Sequence, residues 1–333
     1  MNSSISNNLL DSFQRRVNYL RISMTDRCNL RCRYCAPLIP KQIKKNELLT
    51  LEEMYRVVEA GVALGITKVR LTGGEPLCRR GIIDFIKRLG DLPDITDISM
   101  TSNGTMVADH ARQLKEAGLT RINISLDTLE RKKFKWLTGA DLFPEVWKGI
   151  MSASEWGFAP IKINMVVMKG FNDDEIENMA SLAIRFPFHI RFIEYMPIGT
   201  DPLAAHASFL PVSEVEAKIR QLVELIPVAG KAADGPALRY HIAHGKGEVG
   251  FIGSMSSHFC SSCNRLRLTA AGHLRPCLLS DDQVNVIEPI REGITNKGIE
   301  ALILETLAKK RKEHQLSFTS GRSLQSSMVS IGG

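Results

Sequence analysis

The sequence predicts an α/β fold, an incomplete (β/α)6 TIM-like barrel followed by a C-terminal covering domain. Six short runs of apolar or β-branched residues alternate with amphipathic helical stretches, as expected for strands buried in a parallel sheet. Polar, glycine-bearing segments follow the carboxyl ends of these runs, where barrel enzymes place their chemistry. The length of 333 residues suits one barrel with an appendage.

The predicted strands cover residues 17–23, 66–72, 95–101, 120–126, 161–168 and 189–195. Six units are fewer than the eight of a closed barrel, so we expect an open barrel that another part of the chain covers. The chain divides into a polar extension at 1–16, the barrel at 17–228 and a C-terminal domain at 229–333. A final helix is predicted over 296–314.

Capping signals mark two of the helices. Thr50 with Glu53, and Ser213 with Glu216, have the spacing of a capping box, in which each side chain accepts a bond from the other residue's backbone N–H. The basic run at 309–312 closes the final helix and is interpreted as a solvated terminus that complements the helix dipole. We assign this run no function.

Composition and charge narrow the class of protein. Hydrophobic residues at 44% and charged residues at 24% exclude disordered, collagen-like and coiled-coil proteins. The polar N-terminal segment does not resemble an export signal, and no run approaches the roughly 18 apolar residues of a membrane span. We therefore expect a cytoplasmic protein without membrane contact. The net charge of +7 fits an anionic ligand as well as nucleic acid.

The seven cysteines form two groups of three and one singleton, Cys78. An odd number in a reducing compartment argues against disulfides and favours metal binding. The first group, Cys28, Cys32 and Cys35, follows the first predicted strand. Three thiolates at this spacing can hold three irons of a four-iron four-sulfur cluster and leave the fourth iron open. A structural zinc site would need a fourth ligand, and no histidine precedes His110.

The second group consists of Cys260, Cys263 and Cys277, again without an obvious fourth cysteine. His258 and His273 lie close in sequence, so the spacing alone fits a zinc site with three cysteines and one histidine as well as an iron-sulfur cluster.

Basic residues gather in and near the predicted strands. The group comprises Arg21, Lys68, Arg70, Lys162 and Arg191 in the barrel, with Arg265 and Arg267 after the second cysteine pair. Each taken singly fits a salt bridge or a solvated strand end. Because basic residues inside a barrel need anionic partners, the seven together favour a polyphosphate ligand.

The Thr72-Gly-Gly-Glu-Pro76 segment follows the second predicted strand. Together with the first cysteine group, it resembles the radical S-adenosylmethionine (SAM) superfamily. More specific matches resemble the GTP 3′,8-cyclase family of that superfamily: TDRCN, KVRLTGGEPLCR, TSNG, RINISLDTL, KGFNDDEI, RFIEYMPIG, FCSSCNRLRLTAAGHLRPCLL and the final Ile331-Gly332-Gly333.

The resemblance implies a radical SAM barrel with two four-iron four-sulfur clusters, one on each cysteine group, and SAM bound to the open iron of the first. It implies SAM contacts from Tyr34, Gly74, Ser125 and Met196. It also implies GTP contacts from Arg21, Arg70, Thr101, Lys162, Arg265, Leu266 and Arg267, with Lys68 and Arg191 near the triphosphate. Catalytic roles fall to Arg265, Arg267, Gly332 and Gly333, the last two forming a tail that enters the active site.

The implied reaction is a lyase reaction that begins molybdenum cofactor biosynthesis. A 5′-deoxyadenosyl radical removes the ribose 3′ hydrogen of GTP, and the resulting radical attacks carbon 8 of guanine. Reduction with protonation then gives (8S)-3′,8-cyclo-7,8-dihydroguanosine 5′-triphosphate. The implied partners are the cyclic pyranopterin monophosphate synthase downstream and an electron donor such as flavodoxin. A homodimer is compatible with the sequence.

Two alternatives stay open. A radical SAM enzyme acting on a peptide or another small molecule would share the first cysteine group and the Gly-Gly-Glu-Pro segment, but it would not need the basic strand residues. A zinc-containing nucleic-acid-binding protein would explain the charge and the cysteines but little else. We expect no nucleic acid partner.

Overall fold

The computed structural model of the protein describes residues 9–35, 43–198, 202–229, 235–318, 324 and 326–332. The six predicted strands are all present, as β1 Tyr19–Ser23, β2 Lys68–Thr72, β3 Asp97–Ser102, β4 Arg121–Ser125, β5 Ile161–Val167 and β6 Phe188–Glu194. They pair in parallel and in chain order. The predicted parallel α/β barrel is therefore confirmed, with strand ends that differ by one or two residues.

The C-terminal part of the chain extends this sheet at both edges. Strand β9, Glu248–Ile252, pairs in parallel with β6, and β10, Arg265–Leu268, pairs in parallel with β1. Four antiparallel strands complete the twelve-stranded sheet: β7 Leu225–Pro227, β8 Leu238–Ile242, β11 His273–Arg275 and β12 Val284–Asn285. The C-terminal part thus covers the open barrel by adding strands to it, and β7, before the predicted boundary at residue 229, pairs with β8 after it.

Helices flank the sheet. They are α1 Leu51–Ala63, α2 Ile82–Gly90, α3 Val107–Glu116, α4 Arg131–Thr138, α5 Phe143–Glu155, α6 Ile176–Arg185, α7 Pro202–Ala207, α8 Val212–Leu222, α9 Ile287–Arg291, α10 Asn296–Ala308 and α11 Met328–Ile331. No helix in the described ranges is long and apolar enough to cross a membrane.

One of the two predicted capping boxes is confirmed. At α1, Thr50 Oγ1 accepts from the Glu53 backbone N–H at 3.1 Å, and the Glu53 carboxylate accepts from the Thr50 N–H at 2.7 Å. The box predicted at Ser213 is wrong, because α8 begins one residue earlier, at Val212. The buried Glu194 carboxylate at the end of β6 accepts from the Val212 N–H at 2.9 Å and does the work of a cap.

Side-chain alternation in the strands separates the core from a polar barrel interior. Apolar residues such as Ile22, Val69 and Ile163 are fully buried in the main core between sheet and helices. Their neighbours on the other strand face include Arg21, Arg70 and Lys162. Because parallel strands keep one register, residues that share a level on adjacent strands come together inside the barrel.

Candidate functional site

A cavity of about 330 Å³ lies inside the barrel and opens at the carboxyl ends of the strands. Its wall contains all six cysteines of the two groups, the glycines after β2 and the basic strand residues. Residues from sequence positions 19 to 328 therefore line one space, which agrees with the predicted convergence of these groups.

The first cysteine group occupies the loop after β1. Its three thiols are free, and the loop is attached to α4 because the Arg31 and Arg33 backbone N–H groups donate to the carbonyls of Thr138 and Leu137 at 2.8 and 3.0 Å. The Tyr34 hydroxyl donates to Asp127 at 2.8 Å. These bonds hold the loop, and with it the thiols, against the rim of the cavity.

Gly73 and Gly74 let the chain after β2 pack against the cysteine loop. The Gly74 N–H donates to the Thr25 carbonyl at 2.7 Å, and a β-carbon on Gly74 would lie 2.2 Å from the Arg27 carbonyl oxygen. Gly73 has φ +150°, and a β-carbon there would lie 2.6 Å from the Thr25 carbonyl oxygen. Only glycine permits so close an approach of two backbones. This is a packing reason for the pair, separate from the SAM contact that the resemblance implies for Gly74.

Glu75 is a buried carboxylate that sequence reasoning assigned no role. It accepts hydrogen bonds from the Leu77 N–H, the Ser102 hydroxyl and the Asn103 N–H at 3.2, 2.9 and 2.7 Å. Burial raises its pKa to about 7. The Asn103 amide in turn donates to Cys28 Sγ at 3.6 Å. Glu75 therefore fixes the loop after β3 against the first cysteine group, and its place in the Gly-Gly-Glu-Pro segment was the available signal.

Burial dominates the electrostatics of the first group. It raises the pKa of Cys35 to about 12 and, with Cys35 and Asp127 nearby, the pKa of Cys32 well above its ordinary value. Burial likewise raises the pKa of Asp127 to about 6. Three desolvated thiols next to a carboxyl group favour a cationic partner. An iron-sulfur cluster, which binds one thiolate on each of three irons, fits this donor set.

The second cysteine group lies before β10 and after β11, at the opposite strand end from the first group, because β10 is parallel to β1 and antiparallel to β11. Burial alone would raise the pKa of Cys263, but the positive charges of Arg265 and Lys310 lower it to about 6. This group therefore has cationic partners from the protein itself. Across the described ranges, no three His, Cys, Asp or Glu side chains converge on a point suited to a single metal ion. A cluster does not require such convergence, because each thiolate binds its own iron.

The interpretation of the basic run at 309–312 as a solvated helix terminus is wrong for Lys310. The helix α10 ends at Ala308, and Lys310 is only 4% exposed. Its ammonium group donates to Cys263 Sγ at 3.4 Å and to the carbonyls of Arg265 and Pro276 at 3.0 and 2.9 Å. The run is therefore not a solvated terminus at this position, because Lys310 turns inward and donates to these partners.

Arg15 attaches the N-terminal segment to the second group. Its guanidinium donates to the carbonyls of Cys260 and Arg311 at 2.7 Å each, and it pairs with Asp11 at 2.5 Å. The extension at 1–16, described from residue 9, therefore contains a buried contact with the cysteine segment. Sequence reasoning could not find it, because the partners are more than 240 residues away.

The basic residues line the cavity between the two cysteine groups. Strand register places Arg267, Arg21 and Arg70 side by side on β10, β1 and β2. The wall contains eight basic side chains and, in the part of the chain described, one carboxylate, Asp127. The eight are Arg21, Lys68, Arg70, Arg121, Lys162, Arg191, Arg265 and Arg267. This excess of positive charge in a recessed space requires anionic compensation.

The pKa values of these groups report their crowding. Burial and then the charge of Arg191 lower the pKa of Lys162 to about 6. Burial with neighbouring arginines lowers the pKa of Arg191 and of Arg267 to about 10 each, and that of Arg21 well below its ordinary value. A bound polyanion would reverse these shifts, because it favours the charged forms.

The other residues assigned by resemblance divide into two sets. Thr101, Ser125 and Met196 line the cavity, as do Tyr34 and Gly74. Leu266 differs, because its side chain is buried in the main core on the strand face opposite Arg265 and Arg267. Leu266 does not line the cavity.

The C-terminal tail reaches the barrel. The Gly332 carbonyl accepts from Arg267 at 2.8 Å and from the Thr72 hydroxyl at 3.3 Å. Gly332 has φ +69°, and a β-carbon there would lie 2.7 Å from Thr72 Oγ1. Ile331 packs in a small core with Ile198 and other apolar residues. Gly333 lies outside the described residues, so its predicted role stays a prediction.

Comparisons with known proteins agree along the chain. Residues 22–183 match the Radical SAM superfamily model, and residues 188–316 match Molybdenum Cofactor Synthesis C. The GTP 3′,8-cyclase of Moorella thermoacetica is 44% identical over 97% of this chain and 99% of its own length. That of Pelotomaculum thermopropionicum is 46% identical over 92% of this chain and 95% of its own.

Among solved structures, Streptococcus suis SuiB bound to S-adenosylmethionine matches with a TM-score of 0.61 at 14% identity. The match covers 91% of this chain and 77% of that one. At this identity the likeness shows the fold, which is that of a radical SAM protein.

Proposed function

The chain belongs to the GTP 3′,8-cyclase family, and from this premise we propose how its residues divide the work of the reaction. The protein is a radical SAM lyase that cyclises GTP to (8S)-3′,8-cyclo-7,8-dihydroguanosine 5′-triphosphate, the first step of molybdenum cofactor biosynthesis. The division rests on the cavity, which is lined by both cysteine groups and by the basic strand residues.

The loop with the first cysteine group would hold the cofactors that generate the radical. Cys28, Cys32 and Cys35 would hold a four-iron four-sulfur cluster, and Tyr34, Gly74, Ser125 and Met196 would contact SAM. When bound, this pair supplies the 5′-deoxyadenosyl radical that takes a hydrogen atom from the substrate. The role of the chain is to fix the loop through Gly74 and Tyr34 and to keep water from the reacting atoms.

The second cysteine group would hold a second four-iron four-sulfur cluster on Cys260, Cys263 and Cys277. Free thiols support this assignment, and so do the two cations, Arg265 and Lys310, that stabilise the Cys263 thiolate. With two triads facing one cavity, a substrate between them would meet the radical on one side and the second cluster on the other.

GTP would lie between the two cysteine groups, with its triphosphate beside the basic residues. Arg21 and Arg70 are paired in register on β1 and β2, and Lys162 on β5 lines the same cavity. Arg191 lies on the neighbouring strand β6, and Thr101 contributes a hydroxyl group. An ion pair at about 4 Å contributes about 4 kcal/mol at an effective dielectric constant of about 20. Exposed pairs contribute about 0 to 1 kcal/mol. Several shielded pairs therefore favour a triphosphate over a neutral substrate such as an uncharged peptide.

Arg265, Arg267 and the tail would organise the reacting end of the substrate. Arg267 binds the Gly332 carbonyl, so the tail and this arginine move as one unit. Leu266 would contribute its backbone only. Gly333 would share the catalytic role that the resemblance implies for Gly332.

We also propose protein partners, a cellular location and an assembly for the enzyme. The cyclised product would pass to the cyclic pyranopterin monophosphate synthase, and a flavodoxin-type protein would donate the electron. The enzyme would act in the cytoplasm, and a homodimer is one assembly in which it would do so.

A labelling experiment tests the proposed function directly. The anaerobically reconstituted protein is incubated with SAM, a reductant and GTP deuterated at the ribose 3′ carbon. We expect deuterium in 5′-deoxyadenosine and a cyclised product that is an isomer of GTP. SAM cleavage without deuterium transfer, at saturating GTP, would contradict hydrogen abstraction from that carbon.

A further inference from the structure

Lys310 is a buried cation that the reaction scheme leaves without a task. It follows α10 in a basic run whose neighbours, Lys309 and Lys312, are exposed. Its three N–H bonds are all used, one by Cys263 Sγ and two by the backbone carbonyls of Arg265 and Pro276. A lysine with three satisfied donors in a closed site is fixed in position.

The partners of Lys310 come from both halves of the second cysteine group. Arg265 follows Cys263 by two residues, and Pro276 directly precedes Cys277. One ammonium group therefore ties the segment before β10 to the segment after β11. This contact fixes the separation of two thiolates that must bind the same cluster.

The charge of Lys310 has one candidate for compensation among the described groups within hydrogen-bond reach. Two of its three partners are neutral carbonyls, and no carboxylate pairs with it in the described ranges. The third partner is the sulfur of Cys263. A buried charge is costly unless it is paired, so this sulfur compensates the ammonium group as a thiolate.

We propose that Lys310 is a positioning residue for the second cluster and that its hydrogen bond to Cys263 Sγ raises the reduction potential of that cluster. This inference rests on the proposed function, which assigns a cluster to the second cysteine group. Hydrogen bonds to ligating sulfurs and the net local charge both set the potentials of such clusters. A fixed cation stabilises the reduced, more negative state of the cluster over the oxidised state.

Arg265 also lowers the pKa of Cys263 through its charge, from a different position. It is the other cation near Cys263, but it lines the main cavity and stacks over Phe259, with its guanidinium carbon 4.9 Å from the ring centre. Lys310 donates to the backbone carbonyl of Arg265 and so lies beneath it. The two cations therefore divide the work, with Arg265 facing the substrate space and Lys310 facing the ligand sulfur.

A redox titration of the full-length, anaerobically reconstituted protein tests the inference. Electron paramagnetic resonance follows each cluster, and added SAM identifies the first cluster by its altered signal. The variants are Lys310→Met, which removes the charge at similar length, and Lys310→Arg, which retains it. Lys312→Met is the matched control, because it removes an exposed charge two residues away.

In Lys310→Met we expect the ratio of reduced to oxidised second cluster to fall at least tenfold at a fixed potential, which is a shift of about 59 mV for one electron. The first cluster should be unchanged. Lys310→Arg and Lys312→Met should each remain within about threefold of the native ratio, which is about 28 mV on the same scale.

Three outcomes separate this inference from its premise. Native protein with only about four irons would contradict the second cluster and the proposal together. Native protein with about eight irons and an unaltered second potential in Lys310→Met would overturn the role of Lys310 alone. If Lys310→Met and Lys310→Arg both lose the second cluster, the shape of the side chain matters rather than its charge, and the claim about potential fails.

Discussion

The two cysteine groups line one cavity from opposite strand ends, but they are built in different ways. The first is a single loop after β1, held by backbone contacts to Gly74 and to the end of α4. The second is assembled from distant segments, with Arg15 from the N-terminal extension and Lys310 from beyond α10 packed against it. The first group is a local motif, and the second is a product of the completed fold.

The electrostatic contrast follows from that construction. Burial raises the pKa values of the first group, and Asp127 adds negative charge beside it. At the second group, Arg265 and Lys310 lower the pKa of Cys263. The first group therefore depends on its bound iron for compensating charge. The second has that charge in the protein at Cys263, whereas burial raises the pKa of Cys260 as it does in the first group.

The largest expected effect comes from removing one thiol in each group. Cys32→Ala should abolish reductive cleavage of SAM, because this group holds the cluster that binds SAM. Cys263→Ala should retain SAM cleavage uncoupled from cyclisation, because only the substrate side is lost. Both activities are measured as 5′-deoxyadenosine and cyclised product by chromatography. Equal loss of SAM cleavage in two folded variants would erase the proposed distinction between the groups.

The tail supplies the next largest effect. Gly332→Ala places a β-carbon 2.7 Å from Thr72 Oγ1 at φ +69°. Strain of about 1–3 kcal/mol should displace the tail and slow cyclisation about tenfold or more, while iron content and SAM binding stay intact. Gly157→Ala is the matched control, since it has φ +74° on the surface with open space around it. Equal slowing in both variants would show that the effect is general strain.

Substrate affinity should respond to the basic wall between the groups. Arg267→Ala and Lys162→Ala each remove a buried basic side chain that would be charged beside a triphosphate. Each should weaken GTP binding by more than about 1 kcal/mol, the upper end for an exposed pair. Arg112→Ala, whose partner is Glu116 on the surface of α3, should leave binding unchanged. Calorimetry of the cluster-loaded protein measures each affinity. A loss no larger than that of Arg112→Ala would place the triphosphate elsewhere.

The smallest expected effect is a change in proton uptake when GTP binds. Because the pKa of Lys162 is about 6 in the ligand-free protein, most Lys162 side chains are neutral at pH 7. A bound triphosphate favours the ammonium form, so GTP binding should take up a fraction of a proton at pH 7 and less at pH 5, where Lys162 is already charged.

Calorimetry in buffers of different ionisation enthalpy counts these protons, and Lys162→Met removes the contribution of the side chain. Identical proton uptake in the native protein and Lys162→Met would show that the triphosphate does not approach Lys162.

The difference between the groups also explains what the sequence could predict. The six barrel strands, the first cysteine group and the basic strand residues depend on short-range patterns, and the structure places them as expected. The added parallel strands β9 and β10 carry no pattern that names their distant partners β6 and β1. Lys310 looked like a solvated helix end, because its run is basic and its carbonyl partners are distant in sequence.

Buried carboxylates were the other omission. Glu75 and Asp127 act through backbone N–H groups and a tyrosine hydroxyl rather than through spacing with other titratable residues. A sequence shows that an acidic residue follows a strand, but it does not show which donors the fold will direct toward it. The capping box predicted for α8 is wrong for the same reason, because the distant Glu194, and not Ser213, accepts a hydrogen bond at the start of this helix.

We propose that the two cysteine groups each hold a cluster beside one substrate space. Iron and sulfide analysis of the anaerobically reconstituted protein, with Mössbauer spectroscopy, measures how many clusters are bound. We expect about eight irons per chain in the native protein and about four in a variant lacking either triad. A colourless protein with stoichiometric zinc, or four irons that persist only when the first triad is intact, would show that the two groups do not each hold a cluster.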